Sequence, residues 1–301
     1  MKINLVSRDN GVGLSQDMRL LGEILRSGGH TAQMVDWRSN DTAPCDVAIF
    51  LELWNPRLAS RARRVVGVFN LEWLPRRWHP ELRRCTQLWA KSLEASQVYR
   101  RMGLSAARYT GFTSRDMYDP TIPRQLSCLH HRGKSTLKGT EVVLEAWKRH
   151  HASLPPVTIV SHAPIQAPPG VTVLPRLSDA DLARQFNTHQ IHLCPSRTEG
   201  WGHYLVEGMF AGAVVVTTNG SPMNEHIQPD RGILVDPSHR TARGLVRMHH
   251  MDPNSLAEAV QRAVAMSQDD RDRMGARARA HAVHAGQRFR ATILDLIGKM
   301  S

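Results

Sequence analysis

The chain of 301 residues has no stretch near the roughly 18 consecutive apolar residues that a membrane helix requires. Its four cysteines, at 45, 85, 128 and 194, lie far apart and form no CxxC pair. That spacing argues against a zinc site or a disulfide framework and fits a reducing, cytoplasmic compartment. There is no short-period repeat and no low-complexity tract, which excludes solenoid and fibrous classes. The opening run Met1–Val6 is too short for the apolar core of a signal peptide and reads as a buried strand. The paired histidines at 130–131, 150–151 and 249–250 lack the spacing of metal ligands. Acidic residues are scarce in one region. Between Arg57 and Arg115 only 3 Glu stand against 13 Lys or Arg, a net +10 out of +12 for the whole chain. Such a field either solubilises a surface or draws an anionic partner: nucleic acid, an acidic membrane surface or an acidic glycan.

What is present suits a globular protein of two ordinary domains. The composition is 41% hydrophobic and 22% charged, enough apolar residues for real cores. The first half alternates short apolar runs with helical patterns, as βα units do. Strands are expected at Lys2–Val6, Thr31–Trp37, Val47–Leu51, Val65–Phe69 and Ala107–Gly111, with a glycine-containing loop at Ser7–Leu14. Met18, Leu21, Ile24 and Leu25 recur at helical spacing, and Gly28-Gly29 ends that helix. Further helices are expected over Pro56–Arg64 and Ser92–Met102. Phe112–Arg124, with two prolines and no periodicity, reads as a linker. A second series follows: strand Leu126–His130, helix Thr140–His150, strands Val157–Ser161 and Val171–Leu174, and helix Asp179–Asn187. It continues with strand Ile191–Cys194, a helix through Tyr204–Phe210, strands Val214–Thr217 and Ile233–Val235, and two or three polar helices from about Pro253. The expectation is an α/β protein with two Rossmann-like domains, 1–124 and 125–285, facing a central cleft, with 286–301 a C-terminal helix. Ligands of such sheets bind at the carboxyl ends of the strands.

The segment Pro195-Ser-Arg-Thr-Glu199-Gly-Trp-Gly-His-Tyr-Leu-Val-Glu207-Gly-Met-Phe-Ala-Gly212 is the most informative. A strand delivers it and a helix begins at about Gly202. Small residues let backbone approach a ligand, and the first amides of a helix have no partner within it, so Gly202, His203 and Tyr204 can meet a phosphate. Glu199 precedes the helix and Glu207 lies eight positions on, roughly two turns into it. That spacing suits a nucleotide sugar, whose sugar and ribose hydroxyls flank a diphosphate. A second loop, Arg132-Gly-Lys134-Ser-Thr-Leu-Lys138-Gly139, carries cations to a helix start, where they can neutralise a diphosphate as it leaves. In the first half, Gly11 and Gly13 give the loop after the first strand room to admit donor or acceptor phosphate. Asp179-Ala-Asp181 matches a metal-binding D-x-D string. It follows Ser178 at a helix start, where acidic residues answer the helix dipole, and no metal is expected there.

The first of these segments resembles the E-x7-E motif of GT-B glycosyltransferases, especially glycosyltransferase family 4. The resemblance continues through Ala213–Thr218 and Gly232-Ile-Leu-Val-Asp-Pro237 and covers most of residues 126–240. It implies that Glu199 contacts the transferred sugar and Glu207 the ribose hydroxyls. It implies a diphosphate site at Lys138, Lys134 and Arg132. This loop departs from the family pattern, with Lys134 where Arg is usual and the gap to Lys138 one residue shorter, and Arg132 can supply the guanidinium. The family places a His in a first-domain loop facing the sugar. Here that loop reads Asn70-Leu-Glu72-Trp73-Leu-Pro-Arg-Arg-Trp78-His79, so Glu72 or His79 is the candidate for orienting the acceptor hydroxyl or taking its proton. The resemblance further implies a retaining transfer, a nucleotide-diphosphate sugar as co-substrate, no metal or other cofactor, and a last helix that crosses back to the first domain.

In GT-B enzymes the acceptor binds mainly the first domain, where the +10 lies. Arg76, Arg77, Arg83 and Arg84 are interleaved with Trp73 and Trp78, with Trp54 and Trp89 nearby, and arginines among flat aromatics suit phosphate backbones and splayed bases. The leading expectation for the acceptor is DNA carrying a hydroxymethylated base, as in viral DNA modification, with the base turned out of the duplex. One alternative is assembly of lipopolysaccharide or a lipid-linked glycan, with the same cations holding an anionic membrane surface. Another is a non-catalytic, nucleic-acid-binding relic of the fold.

Overall fold

The computed structural model describes residues 1–39 and 42–300. The chain divides into two compact units. Unit 1 comprises Met1–Ser114, Arg243–Val246 and Ala285–Ser301, and unit 2 comprises Arg115–Ala242 and Arg247–His284. Residue 301, the end of the expected C-terminal helix, lies outside the described residues.

Unit 1 is built from β1 (Lys2–Ser7), α1 (Gly13–Ser27), β2 (Thr31–Asp36), β3 (Cys45–Leu51), α2 (Pro56–Ala59), β4 (Ala62–Val68), β5 (Gln87–Ala90), α3 (Leu93–Arg101) and β6 (Ala107–Tyr109). Its six strands form one sheet in the order β2-β1-β3-β4-β5-β6. Adjacent strands run parallel, with Leu5 opposite Ile49 in β1–β3 and Ile49 opposite Val66 in β3–β4. The central strands β1 and β3 are apolar and buried along almost their whole length, as strands covered on both faces of a parallel sheet are. α1 shows the matching pattern: Leu14, Met18, Leu21, Ile24 and Leu25 are buried on one stripe. Trp89 is only 1% exposed, and Trp54 packs against Phe50 in a buried cluster.

Unit 2 repeats the plan with β7 (Gln125–Gly133), α4 (Thr140–His150), β8 (Val157–Ser161), β9 (Val171–Leu174), α5 (Asp179–Thr188), β10 (His189–Cys194), α6 (His203–Phe210), β11 (Val214–Thr218), α7 (Met223–His226) and β12 (Ile233–Val235). The sheet order is β12-β11-β10-β7-β8-β9. A hairpin of β13 (His239–Arg243) and β14 (Val246–His250) follows, then α8 (Pro253–Ala265) and α9 (Gln268–Gly298). The first part of α9 belongs to unit 2 and the residues from Ala285 to unit 1. The core of unit 2 is centred on Trp147, Ile159, Ile191, Leu193, Val214 and Leu256.

The α/β class is the one expected, and several elements differ from expectation. The helix expected over Pro56–Arg64 stops at Ala59 after one Asn55-capped turn. The run Ala62–Val68 holds three valines, whose branched side chains favour the pleated sheet, and it pairs with β3 instead. β5 carries no sequence expectation; at four residues it is too short to display a period. The β13–β14 hairpin is also new, since its first strand is polar and exposed. The break between units falls after Ser114, inside the segment read as a linker.

Candidate active site

Each sheet has one place where the chain reverses its direction of growth. In unit 2 it lies between β7 and β10, because β8 and β9 grow to one side and β11 and β12 to the other. The crevice outside the carboxyl ends of the strands at such a point is where open α/β sheets bind ligands. The loops leaving β7 and β10 are the two that carry the cations and carboxylates.

These loops are locked together through backbone. Gly139 caps α4 with φ 68°, a left-handed conformation open to glycine. A Cβ there would overlap the carbonyl oxygen of Pro195 and stand 3.1 Å from its carbonyl carbon. One residue pair further on, Arg197 N–H donates to Leu137 O at 2.8 Å. Gly202 caps α6 with φ 93°, which a side chain would strain. His226, pushed down to about 4 by burial and therefore neutral, holds the same loop through Nε2 and Trp201 O at 3.0 Å.

Lys138 sits among the candidate donor groups. Its ammonium donates to His131 O at 3.2 Å and lies 4.0 Å from the centre of the Tyr204 ring. Burial lowers its pKa from the ordinary value, while Glu199 and Glu207 act in the opposite sense and favour the charged form. Glu199 is held by Ser196, whose hydroxyl donates to Oε1 at 2.6 Å. The same Ser196 oxygen lies 2.6 Å from Tyr204 OH. Ser196 has a single hydroxyl proton, so Tyr204 is the donor in that pair and the chain runs Tyr204 to Ser196 to Glu199. Glu207 is the fifth residue of α6, one turn into the helix rather than two, and is only 2% exposed. The Arg115 guanidinium lies 3.6 Å from Glu207 Oε1 and 3.0 Å from Asp179 Oδ1. Beside them, buried His131 Nδ1 and Thr198 Oγ1 have no hydrogen-bond partner.

Lys138, Tyr204, Glu199 and Glu207 therefore converge. Arg132 instead donates to Ser161 Oγ at 3.1 Å at the end of β8, Lys134 is exposed, and His203 is the first, half-buried residue of α6. Asp181 closes a reciprocal cap with Ser178, which explains this acidic residue at a helix start, and Asp179 pairs with Arg115. Among the described residues no group of three His, Cys, Asp or Glu is placed to hold a metal ion.

In unit 1 the reversal lies between β1 and β3. The loop leaving β1 turns its amides inward: Gly11 N–H donates to Asp9 Oδ1 at 3.0 Å and Ser15 Oγ at 2.8 Å, and Gly13 opens α1. Glu72 is buried, and its carbonyl accepts from Arg243 Nε at 3.1 Å. His79 has a buried Nε2 with no hydrogen-bond partner. The ionisable groups gathered at the strand ends are others. Lys91 contacts Asp17 at 2.5 Å and Asn70 Oδ1 at 3.0 Å, and Asn70 Nδ2 donates to Glu52 Oε2 at 2.9 Å. Lys91, Asp17 and Glu52 were not legible as site residues, because two separate loops and a helix bring them together. Arg76, Arg77, Arg83 and Arg84 are exposed. Of the four tryptophans, Trp54 and Trp89 are core residues and Trp78 packs against the core, with Arg77 over its ring at 5.2 Å. Trp73, at 43% exposure, has its face covered by Arg243 at 4.4 Å.

The profile of the family Glycosyl transferases group 1 matches residues 165–281, which include Glu199 and Glu207. No curated protein matches the chain by sequence. Solved structures do match in fold. A glycosyltransferase from Rickettsia africae is 14% identical with a TM-score of 0.76, and sucrose-phosphate synthase from Thermosynechococcus elongatus is 14% identical with a TM-score of 0.77. Anabaena HepE in complex with UDP and glucose is 13% identical with a TM-score of 0.68. Each of the three matches covers 99% of this chain and 98% of the other. Residues 165–281 are thus similar to a glycosyl transferases group 1 domain, and the chain has the GT-B fold.

Proposed function

We propose that the chain transfers a sugar from a nucleotide-diphosphate sugar, held by unit 2, to a hydroxyl on an anionic acceptor, held by unit 1. The observation that carries this reading is a half-buried lysine whose charge is favoured by two nearby carboxylates, at the reversal point of the unit 2 sheet. Lys138 would neutralise the departing diphosphate, with Arg132 and Lys134 on the same loop adding charge. Glu199 would bind the transferred sugar and Glu207 the ribose hydroxyls, and Gly202, His203 and Tyr204 would border the diphosphate. The binding of UDP and glucose by HepE, a protein of the same fold, supports a uridine donor. The resemblance to the E-x7-E motif supports retention of configuration without a metal. Four free, buried cysteines suit a reducing, cytoplasmic setting, and among the described residues no helix is long and apolar enough to cross a membrane.

For the acceptor, the exposed Arg76, Arg77, Arg83 and Arg84 support an anionic partner. The first reading is DNA with a hydroxymethylated base. With Trp54 and Trp89 buried and Arg243 over one face of Trp73, its base-stacking surface reduces to the other face of Trp73 and part of Trp78. The second reading, a lipid-linked glycan at an anionic bilayer, draws on the same arginines and needs fewer aromatic faces. An intact-mass screen tests both, offering UDP- and GDP-sugars with hydroxymethylated DNA, plain DNA and lipid-linked acceptors. A hexose or pentose mass added to one acceptor is the expected result. Donor left unconsumed with every acceptor and with water would refute the transferase reading.

A further inference from the structure

We propose that Glu52 holds the reacting hydroxyl of the acceptor, with Arg8 beside it to take a neighbouring anionic group. This rests on the transferase reading above and adds a residue to it. Glu52 leaves β3 and Arg8 leaves β1, the two strands between which the unit 1 sheet reverses, so both stand at the ligand-binding end of that sheet. Ser7 Oγ donates to Leu51 O at 2.9 Å and ties the two strand ends together. Among the described residues Glu52 is the one non-glycine residue in the left-handed region, with φ 65°. Glycine would sit there relaxed, and a carboxylate stands there at a cost in backbone strain.

The side chain is also fixed in place. Lys91 donates only, so the Asn70 amide must turn its oxygen to Lys91 and its nitrogen to Glu52 Oε2. Buried Asp17 anchors Lys91 in turn. One oxygen of Glu52 is thereby spoken for. The other, Oε1, has Arg8 at 3.8 Å, beyond hydrogen-bond reach, and the Arg8 side chain is 54% exposed. A carboxylate oxygen with open acceptor capacity next to an exposed guanidinium fits a hydroxyl that has an anionic neighbour. The groups facing Glu52 are Arg8 from the loop after β1, Asp17 from α1, Asn70 from the loop after β4 and Lys91 from the loop after β5. Burial raises its pKa above the ordinary range, and Asp17 adds to this. Asn70, Lys91 and Arg8 act the other way.

The test uses the full chain, with water in the place of the acceptor: hydrolysis of UDP- and GDP-sugars as a function of pH. In the parent, hydrolysis should fall on the acid side as Glu52 gains a proton and ceases to accept. Glu52→Gln should hydrolyse at least 10-fold more slowly above that limb and lack the limb, with the Kd for UDP or GDP within twofold of the parent. Glu52→Gly should hydrolyse as slowly, yet melt at or above the parent temperature, an outcome a merely structural carboxylate would not give. A Glu52→Gln variant that matches the parent in rate and acid limb overturns the inference alone, and so does one that loses nucleotide binding. A parent that neither binds nor hydrolyses any of these nucleotides removes the transferase reading itself.

Discussion

Replacing Gly139 by alanine tests the junction on which the donor loops depend. The residue sits at φ 68°, where an L side chain costs about 1–2 kcal/mol. The added Cβ would also overlap the carbonyl oxygen of Pro195, which belongs to the backbone leaving β10 and cannot rotate away. Forcing such a methyl into a packed junction costs a further ~1–3 kcal/mol. The total is about 2–5 kcal/mol, which for a unit of this size corresponds to a fall in Tm of roughly 5–15 °C. Relief can come only by separating the start of α4 from the Pro195–Glu199 loop. That movement would carry Lys138 away from Glu199 and Tyr204. The assay is thermal unfolding with and without UDP or GDP, beside calorimetric titration of the same nucleotides. The expected result is a lower Tm together with at least 10-fold weaker nucleotide binding. A variant that melts within 1 °C of the parent would refute the packing argument, and one that melts lower but binds nucleotide normally would separate the junction from the donor site.

Ser196→Ala should leave the buried Tyr204 hydroxyl without its acceptor and free Glu199 to turn. The loss should be about 1–3 kcal/mol in stability, with a drop in sugar transfer larger than any change in nucleotide affinity. Charge reversal of Arg76, Arg77, Arg83 and Arg84 to Glu should abolish binding to DNA or to anionic vesicles, and the salt dependence with it. Tm should move little because all four are exposed; retained binding at low salt would show that this patch is a solubilising face. Glu52 makes the fold pH-sensitive in a defined direction. Folding favours its protonated form, so its contribution is most favourable below the ordinary value of 4.5 and is lost as pH rises from there through the folded value. Glu52→Gln should flatten that part of the stability profile measured by chemical denaturation.

Much of this was legible in the residue order because periodicity survives in long or strongly apolar elements. α1, α4, β8, β9 and β12 follow from alternation and helical spacing alone. The short β5 and the polar β13 do not, since neither is long or apolar enough to show a period. The proposed donor groups Glu199, Glu207 and Lys138 could be singled out because they lie in compact local strings that follow two adjacent strands. The unit 1 site could not. Glu52, Asn70, Lys91 and Asp17 come from four segments, and the positive φ that marks Glu52 is a property of the backbone alone. Glu72 and His79 stood in the expected loop, but Asn70, two residues before Glu72, is the member of that loop that faces a carboxylate and an ammonium.

Calorimetric titration of UDP and GDP into the parent, Lys138→Met and Glu207→Gln tests the donor site most directly. One nucleotide should bind the parent, and each substitution should weaken it about 10- to 150-fold, the worth of one charge-assisted hydrogen bond of ~1.5–3 kcal/mol. Equal affinity in all three proteins, or no binding of either nucleotide to the parent, would contradict the account.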